Sequence, residues 1–562
     1  MSATTTIGTA ATATTTTTNT ATTTATATTG WNMADILDGV ARRVPADRPA
    51  IVHGTHVVTW GELDARSNRV ARALLTLGHG RGERVAILSR NHPGYIEGFV
   101  ACLKARLVPL NLNYRYTVDE VAGVLDDAGA TALLYQQEFA PLVAALAARG
   151  SALRTRMCLD GEGLGEATAS FQALAAQGDG SALDIVRSES DPLLLYTGGT
   201  TGKPKGVIWP GNRYRECHLE SPLAKHRPAN LQEHLDTVAA NDTPGRVLPA
   251  CPLMHGAGIS STLSELLSGG TALLLAQRSF DPHELWQLAQ HERATRILIV
   301  GDVFARPMLQ ALDEQPGRYD LSALRVISSA GLMWSEEVKA GLLRHLPKVV
   351  LADIYGASEA AGLGYSITTT ERATPTGRFE PGPRTVMVGD DGRIVPAGQV
   401  GEGWLARGEP LPEGYFGDPV KTAEVFRTID GERYSVPGDR VQRHADGSMQ
   451  LLGRGSLVIN SGGEKIYVEE VEEALKRVPG VQDVLVVGVP DVRWGSAIVA
   501  LLRTGPGGLP DTQAMRAHLA PHLAGYKMPR HYLAVDQLPR ADSGKGDYRA
   551  ARALADSLLR TP

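Results

Sequence analysis

The chain has 562 residues, a formal net charge of −5, and 21% charged and 43% hydrophobic residues. This length is too great for one hydrophobic core and predicts two or more domains. The slightly acidic balance argues against nucleic-acid binding, and no stretch approaches the ~18 consecutive apolar residues of a transmembrane helix. Four widely spaced cysteines without a Cys-x-x-Cys pair favour a reducing compartment, the cytoplasm, and no metal cluster.

The first 30 residues are almost entirely Thr and Ala. They offer little apolar surface to bury, so we expect a disordered tail. From Trp31 onwards the pattern is that of a folded protein. Residues 59–62 resemble a capping box, and the apolar positions Leu63, Val70, Leu74 and Leu77 that follow predict a helix with one buried face.

Apolar runs and amphipathic stretches then alternate along the chain, which predicts an α/β fold of parallel, helix-covered sheets. We expect strands near residues 84–89, 131–135, 193–195, 270–275, 296–300, 324–328 and 349–352, and helices near 95–103 and 121–127. Residues 384–452 are rich in Gly, Pro and charge and predict a small barrel-like or antiparallel subdomain. After Arg454 an αββα pattern, with helices at 469–476 and 515–523 and strands at 483–489 and 498–502, predicts a small α+β domain.

The most informative stretch is Tyr196–Gly206, with the sequence Tyr-Thr-Gly-Gly-Thr-Thr-Gly-Lys-Pro-Lys-Gly. Its glycines permit close approach to a ligand, its threonines add hydroxyl donors, and its lysines supply positive charge, so the loop could bind phosphate. It is not a Walker-type loop, because Thr197 and Pro204 stand where the first glycine and the Mg²⁺-binding hydroxyl are required. Taken alone, the stretch is a phosphate loop of another type or a flexible turn.

Four later motifs follow in order, and with this loop they resemble the signature of the AMP-forming adenylating enzymes, the superfamily of acyl-CoA synthetases and luciferases. The resemblance covers roughly residues 31–550 and is most similar to bacterial fatty-acyl and steroid-side-chain CoA ligases. The motifs are Tyr355-Gly-Ala-Ser-Glu359, Tyr434-Ser-Val-Pro-Gly-Asp439, Gly453-Arg454 followed by Ser461-Gly-Gly-Glu-Lys-Ile-Tyr467, and Pro539-Arg-Ala-Asp-Ser-Gly-Lys545.

The resemblance implies a large N-terminal adenylation domain at 31–453 and a mobile C-terminal cap domain at 454–562. The cap would rotate about Ser456, which stands where the family usually has Asp or Lys. The implied activity is ATP-dependent: a hydrophobic carboxylic acid, fatty or bulky, is converted to an acyl-AMP with release of pyrophosphate and then passed to CoA. ATP, CoA and Mg²⁺ are the implied co-substrates and cofactor.

The resemblance also assigns roles to individual residues. Lys545 would stabilise the adenylation transition state, Ser358 and Thr200 would contact phosphate, and Glu359 would be the Mg²⁺ ligand. The pyrophosphate cradle would comprise Thr197, Gly198, Gly199, Thr200, Thr201, Gly202, Lys203 and Lys205. Tyr355, Gly356, Asp439 and Arg454 would bind the nucleoside, Ser461, Gly462 and Gly463 would line the pantetheine path, and Met254, His255, Ser329, Ala330 and Gly331 would line the acyl pocket.

Two other hypotheses stay open. The activated acid could pass to a carrier protein or an amine, or the enzyme could activate a non-carboxylate acid such as nitrite. A nucleotide-binding protein without turnover is the third hypothesis, and the presence of Glu359, Asp439 and Lys545 argues against it. The expected partners are small molecules, and a homodimer is compatible with the sequence.

Overall fold

The computed structural model describes residues 31–560, apart from 163–167, 198–203, 222–223, 225–226, 333, 455–457, 462–463, 492–494, 521, 524 and 542–543. The predicted tail at residues 1–30 and the predicted hinge residue Ser456 lie outside the described residues.

The described helices and strands alternate over most of the chain. The helices are α1 Met33–Ala41, α2 Trp60–Thr76, α3 Pro93–Lys104, α4 Val118–Ala128, α5 Ala140–Ala148, α6 Phe171–Ala176, α7 Gly211–Leu219, α8 Leu231–Ala239, α9 Gly256–Leu266, α10 Pro282–His291, α11 Asp302–Glu314, α12 Glu336–His345, α13 Pro419–Val425, α14 Val468–Lys476, α15 Thr512–Leu519 and α16 Tyr548–Arg560. The strands are β1 Pro49–His53, β2 His56–Thr59, β3 Arg84–Leu88, β4 Val108–Asn111, β5 Ala130–Tyr135, β6 Thr155–Cys158, β7 Thr168–Ser170, β8 Pro192–Thr197, β9 Lys205–Pro210, β10 Arg246–Pro249, β11 Thr271–Leu274, β12 Arg296–Ile299, β13 Val326–Ala330, β14 Val350–Ala357, β15 Ala360–Thr368, β16 Arg378–Pro381, β17 Thr385–Val388, β18 Gly401–Gly408, β19 Gly414–Tyr415, β20 Phe426–Ile429, β21 Glu432–Ser435, β22 Asp439–Arg443, β23 Met449–Arg454, β24 Val458–Ser461, β25 Glu464–Tyr467, β26 Val481–Asp491, β27 Gly495–Thr504 and β28 His531–Ala534.

Two large sheets form the first part of the molecule. One has eight strands in the order β19-β9-β8-β4-β3-β5-β6-β7, and its strands from β8 to β7 are parallel. The other has fifteen strands and runs β2-β1-β11-β10-β12-β13-β14-β15-β16-β23-β22-β18-β21-β20, with β17 beside β18. It is parallel from β1 to β14 and antiparallel from β14 onwards. The predicted α/β architecture is confirmed.

The segment predicted as a small subdomain, residues 384–452, is antiparallel as expected, but it continues the large sheet. Strand β16 pairs with β15 on one side and with β23 on the other, and this pairing joins the segment to the rest of the sheet. The composition of residues 384–452 predicted antiparallel strands. It did not predict their connection to the large sheet, because the connecting strand β16 precedes this segment in sequence.

The helix after the first hairpin shows how local sequence sets structure. Thr59 accepts a hydrogen bond from the Glu62 amide at 3.2 Å, and Glu62 accepts one from the Thr59 amide at 2.8 Å, which is the predicted capping box. Leu63, Val70 and Leu74 are buried as predicted. The prediction for Leu77 was wrong: the helix ends at Thr76, and Leu77 is 47% exposed at its C-cap.

The last part of the chain forms a small three-stranded sheet, β26-β27-β28, with β27 parallel to β28. The αββα order is confirmed, although the second helix ends at Leu519 rather than at Leu523. The sequence analysis missed β28 and the amphipathic helix α16, which buries Ala551 and Ala555.

The hydrophobic cores of these two parts are separate. Among the described residues, each hydrophobic cluster draws either on residues up to 451 or on residues from 459 onwards. This division supports the predicted domain boundary near Arg454. Of the described helices, none is long and apolar enough to cross a membrane.

Candidate active site

The glycine-rich stretch is the loop of a hairpin between β8 and β9. The two strands are antiparallel, with Tyr196 opposite Gly206 and Thr197 opposite Lys205. A Walker-type loop leads from a strand into a helix, so the return as a strand agrees with its exclusion on sequence grounds. The loop residues Gly198, Gly199, Thr200, Thr201, Gly202 and Lys203 lie outside the described residues.

Most of the other predicted site residues line one cleft of about 3210 Å³, although they come from distant parts of the chain. Those that line it are Thr197, Lys205, Met254, His255, Ser329, Ala330, Gly331, Tyr355, Gly356, Ser358, Glu359, Asp439 and Lys545. Ser461 is not brought to this cleft: it is buried at the end of β24. Its predicted neighbours on the pantetheine path, Gly462 and Gly463, lie outside the described residues.

Ser358 and Glu359 form the tight turn between β14 and β15. The Glu359 carboxylate accepts a hydrogen bond from the Tyr415 hydroxyl at 2.6 Å, and the Ser358 carbonyl accepts one from the Trp209 indole at 2.8 Å. Both bonds come from β9 and β19 of the eight-stranded sheet, so they fix this turn against the strands that carry the glycine-rich loop.

Tyr355 lies three residues before this turn, and its ring stacks on Phe379 with centroids 5.0 Å apart and planes 25° apart. A ring has two faces, so at most one remains for an adenine base.

The Glu359 carboxylate suits a magnesium ion that takes its other ligands from a substrate and from water. Among the residues that the structure describes, no group of three or more His, Cys, Asp or Glu side chains could hold a metal alone. Magnesium often uses one or two carboxylates and takes its remaining ligands from substrate phosphates and water. Glu359, a single carboxylate that lines the cleft and is oriented by Tyr415, meets that requirement.

Asp439 begins β22 and is only 5% exposed. Its backbone lies opposite that of Arg454 across the β22–β23 ladder, so the two predicted nucleoside contacts are adjacent at this edge. Burial of a carboxylate is costly unless hydrogen bonds satisfy it, and Asp439 carries two acceptor oxygens suited to a ribose diol.

Lys205 lines the cleft, yet its ammonium is already paired. Its Nζ lies 2.6 Å from Asp418 Oδ2 and 5.5 Å from the centroid of the Tyr415 ring. The hydrogen bond from Lys205 lowers the pKa of the Asp418 carboxyl. The structure therefore gives Lys205 a role in fixing α13 beside the hairpin, and its predicted contact with phosphate stays a prediction.

His255 stands at the N-terminus of α9, with Met254 buried behind it. Burial, with smaller effects from the charges of Lys545 and Arg115, lowers the pKa of His255 to about 4. The imidazole is therefore neutral at physiological pH. Lys545 and His255 line the same cleft.

Helix α9 presents one face to the cleft and the other to the core. Apart from Glu265, the residues of α9 that line the cleft are small, namely Gly256, Ala257, Ser260, Ser261 and Ser264. The core face buries Ile259, Leu263 and Leu266. The small side chains of the cleft face leave room for a bulky ligand beyond His255.

The loop that carries Lys545 is held by contacts that the sequence did not reveal. Arg540 forms a paired ion contact with Asp483, with its shortest distance at 2.6 Å, and donates to the Gly544 carbonyl at 2.8 Å. The Ala541 amide donates to the Lys545 carbonyl at 2.8 Å. A Cβ on Gly544 would lie 4.0 Å from Leu332, which places this loop beside the predicted acyl-pocket residues 329–331.

Sequence analysis missed Tyr415, Trp209 and Arg540 because each acts through a side chain distant in sequence from its partner. Arg540 lies inside a quoted motif, and its position five residues before Lys545 was the available signal. Tyr415 and Trp209 stand in strands without a motif, and nothing in the sequence pattern distinguishes them from ordinary aromatic core residues.

Comparisons with known proteins identify the family of this chain. The fold is that of the adenylating enzymes, and the chain belongs to the AMP-binding enzyme family. The family model matches residues 37–416, and the model of the AMP-binding enzyme C-terminal domain matches residues 470–545.

Similar proteins include ligases from actinobacteria. A medium/long-chain-fatty-acid–CoA/3-oxocholest-4-en-26-oate–CoA ligase of Mycolicibacterium smegmatis is 36% identical, over 93% of this chain and 96% of its own. A 3-oxocholest-4-en-26-oate–CoA ligase of Rhodococcus rhodochrous is 34% identical, over 93% and 95%. Among solved structures, ATP-bound MatB from Rhodopseudomonas palustris superposes with a TM-score of 0.77 at 24% identity, over 94% of this chain and 100% of its own.

Proposed function

We propose that the protein is an ATP-dependent acyl-CoA ligase that activates a hydrophobic carboxylic acid as an acyl-AMP and transfers the acyl group to CoA. The observation that carries this proposal is the meeting of Lys545, from the C-terminal sheet, with His255, Glu359 and Asp439 in one cleft. The names of the similar ligases support the same reaction class.

The chemistry requires a group that stabilises charge where the acid meets the nucleotide. The carboxylate oxygen forms a bond to the α-phosphorus of ATP, and the bond from that phosphorus to the β-phosphate oxygen breaks, which releases pyrophosphate. Both reactants are anionic. A lysine ammonium between them offsets the repulsion and stabilises the charge that develops. The thiol of CoA then attacks the acyl carbon, and AMP leaves.

The neutral imidazole of His255 fits this arrangement. A second cation beside Lys545 would compete for the carboxylate, whereas a neutral ring contributes shape and a hydrogen-bonding nitrogen. We infer that His255 forms the wall against which the acid's carboxylate is placed, with Met254 and residues 329–331 beside it.

The nucleotide would lie along the strand ends on the other side of Lys545. Asp439 would accept hydrogen bonds from the ribose hydroxyls, Tyr355 would stack on the adenine, and Ser358 would donate to the α-phosphate. Thr197 and the loop that follows it would surround the pyrophosphate. Glu359, held by Tyr415, would bind Mg²⁺, which when present offsets phosphate charge.

The acid would extend along the small-residue face of α9, which has room for a ring system or a branched chain. We propose a bulky or long-chain acid in preference to acetate.

The four cysteines, Cys102, Cys158, Cys217 and Cys251, are all buried free thiols, which supports a reducing compartment such as the cytoplasm. A homodimer stays compatible with the sequence.

Measurement of pyrophosphate release across a panel of carboxylic acids, with and without CoA, tests the proposal. We expect acid-dependent release and, with CoA, a thioester of matching mass. Acid-dependent release without a thioester would point to another acceptor, such as a carrier protein or an amine. No nucleotide consumption with any acid would contradict the proposed enzyme.

A further inference from the structure

Asn111, the last residue of β4, uses its side chain to join two segments that are far apart in sequence. Its Nδ2 donates to the carbonyls of Tyr196 at 2.9 Å and of Met254 at 2.6 Å. Its Oδ1 accepts from the amide of Tyr196 at 2.8 Å. The side chain is 7% exposed. Three of its four hydrogen-bonding positions are therefore spent on backbone atoms.

The two segments held by Asn111 serve the two reactants. Tyr196 precedes Thr197 and the glycine-rich loop, and Met254 precedes His255 and α9. The backbones of both segments are thus held by one side chain at the end of a central parallel strand. A change in that side chain would shift the end of β8 and the His255 wall relative to each other.

We infer that Asn111 is a positioning residue for adenylation, which sets the distance between the end of β8, at Tyr196 and Thr197, and the wall that receives the acid. This inference rests on the proposed function. Asn111 acts through Tyr196 and Met254, because its polar atoms are directed to their backbones. Its effect should therefore appear in the alignment of the two reactants more than in the binding of either one.

Asn91 provides a matched control. It follows the neighbouring strand β3, donates to the Cys251 carbonyl at 3.1 Å and accepts from the Leu253 amide at 2.7 Å. It therefore holds the same acid-side segment, and none of its described bonds reaches the glycine-rich hairpin. Loss of Asn91 should disturb the acid side alone.

The kinetic test compares Asn111→Ala with Asn91→Ala in the full-length protein. A misplacement of about 1 Å can cost about 100-fold in rate, so we expect Asn111→Ala to lower kcat for acid-dependent pyrophosphate release by about 10- to 100-fold. Asn91→Ala should raise KM for the acid and leave kcat and KM for ATP nearly unchanged. If Asn111→Ala does not fold, Asn111→Ser takes its place, because its hydroxyl is too short to reach both segments.

Hydrogen exchange tests the same inference without activity, and so separates its failure from that of the proposed function. In Asn111→Ala, we expect faster exchange in residues 192–197 and in residues 250–256 together. In Asn91→Ala only residues 250–256 should exchange faster. A change in only one of these segments in Asn111→Ala, a uniform increase over the chain, or a kcat equal to that of Asn91→Ala would overturn the inference.

Discussion

Glu359, Asp439 and His255 reach the cleft from strand ends of the fifteen-stranded sheet and from the start of α9, whereas Lys545 comes from a loop of the small C-terminal sheet with a core of its own. The first group is fixed by the pairing of central strands and by contacts such as Tyr415 to Glu359. The position of Lys545 depends on how the small C-terminal sheet packs on the large part of the molecule. This difference suggests that nucleotide binding belongs to one side and the choice of half-reaction to the other.

The largest effect should come from the C-terminal side. We expect Lys545→Ala to lower acyl-AMP formation by about 100- to 1000-fold, because a preorganised charge at the reacting phosphate is lost. Thioester formation from supplied acyl-AMP should be nearly normal. ATP–pyrophosphate exchange and single-turnover thioester assays measure the two steps.

Lys527→Ala is the control for this variant, since Lys527 lies in the same C-terminal part and pairs with Glu470 at 2.6 Å. Partly exposed ion pairs contribute little, so both steps should stay within about fivefold of wild type. Normal ATP–pyrophosphate exchange in Lys545→Ala would contradict the role assigned to the lysine.

The second largest effect should come from the nucleotide-binding side and should impair both half-reactions. Asp439→Ala removes two acceptors, and a hydrogen bond to a charged group contributes about 1.5–3 kcal/mol, so we expect KM for ATP to rise about 10- to 100-fold. Use of supplied acyl-AMP should be weakened as well. Asp446→Ala, which changes an exposed carboxylate paired with Arg378, is the control. If Asp439→Ala impaired only one of the two half-reactions, the proposed contrast with Lys545 would be contradicted.

A third prediction concerns the acid side. Ala257, the second residue of α9, faces the cleft, and Ala257→Trp should fill the space beside it. We expect kcat/KM for ring-containing or long-chain acids to fall by about 10-fold or more, with short acids affected much less. Ala257→Ser, which adds one oxygen, is the control. An equal loss for all acids would place the acyl chain elsewhere.

The smallest effect should appear in stability. Glu472 on α14 is buried, accepts hydrogen bonds from the Val486 amide at 2.8 Å and the Tyr548 hydroxyl at 3.0 Å, and has its pKa raised to about 8, mainly by burial. The folded protein therefore keeps a proton that the unfolded chain loses above pH 4.5, so its stability falls as pH rises from about 4.5 to about 8.

Glu472→Gln should remove this dependence and, at pH 8, raise the free energy of unfolding by about 1 kcal/mol or more, since one pKa unit corresponds to about 1.4 kcal/mol. At pH 4.5 the variant should match wild type. Thermal unfolding of the full chain at both pH values measures the change, with Glu470→Gln on the same helix as the control. Equal destabilisation of Glu472→Gln at both pH values would contradict the assignment.

The sequence predicted features that depend on neighbouring residues. The capping box at Thr59–Glu62 follows from two side chains three residues apart, and the buried strands follow from apolar runs. The helix end before Leu77 was missed because the apolar spacing continues to Leu77, although Gly78, with a φ of 85°, follows it directly. Helix α16 was missed, although its buried Ala551 and Ala555 are four residues apart, because small alanines give a weak apolar pattern.

The sequence by itself determined the family motifs, the α/β alternation and the residue types that can contact phosphate, ribose and metal, since each is a matter of local spacing and side-chain chemistry. Only the tertiary structure decided that Lys205 pairs with Asp418, that Tyr415 holds Glu359 and that Asn111 joins the hairpin to the His255 wall. These partners lie 213, 56 and 143 residues apart. Such contacts depend on which strand ends meet at a sheet edge, and no local periodicity specifies that.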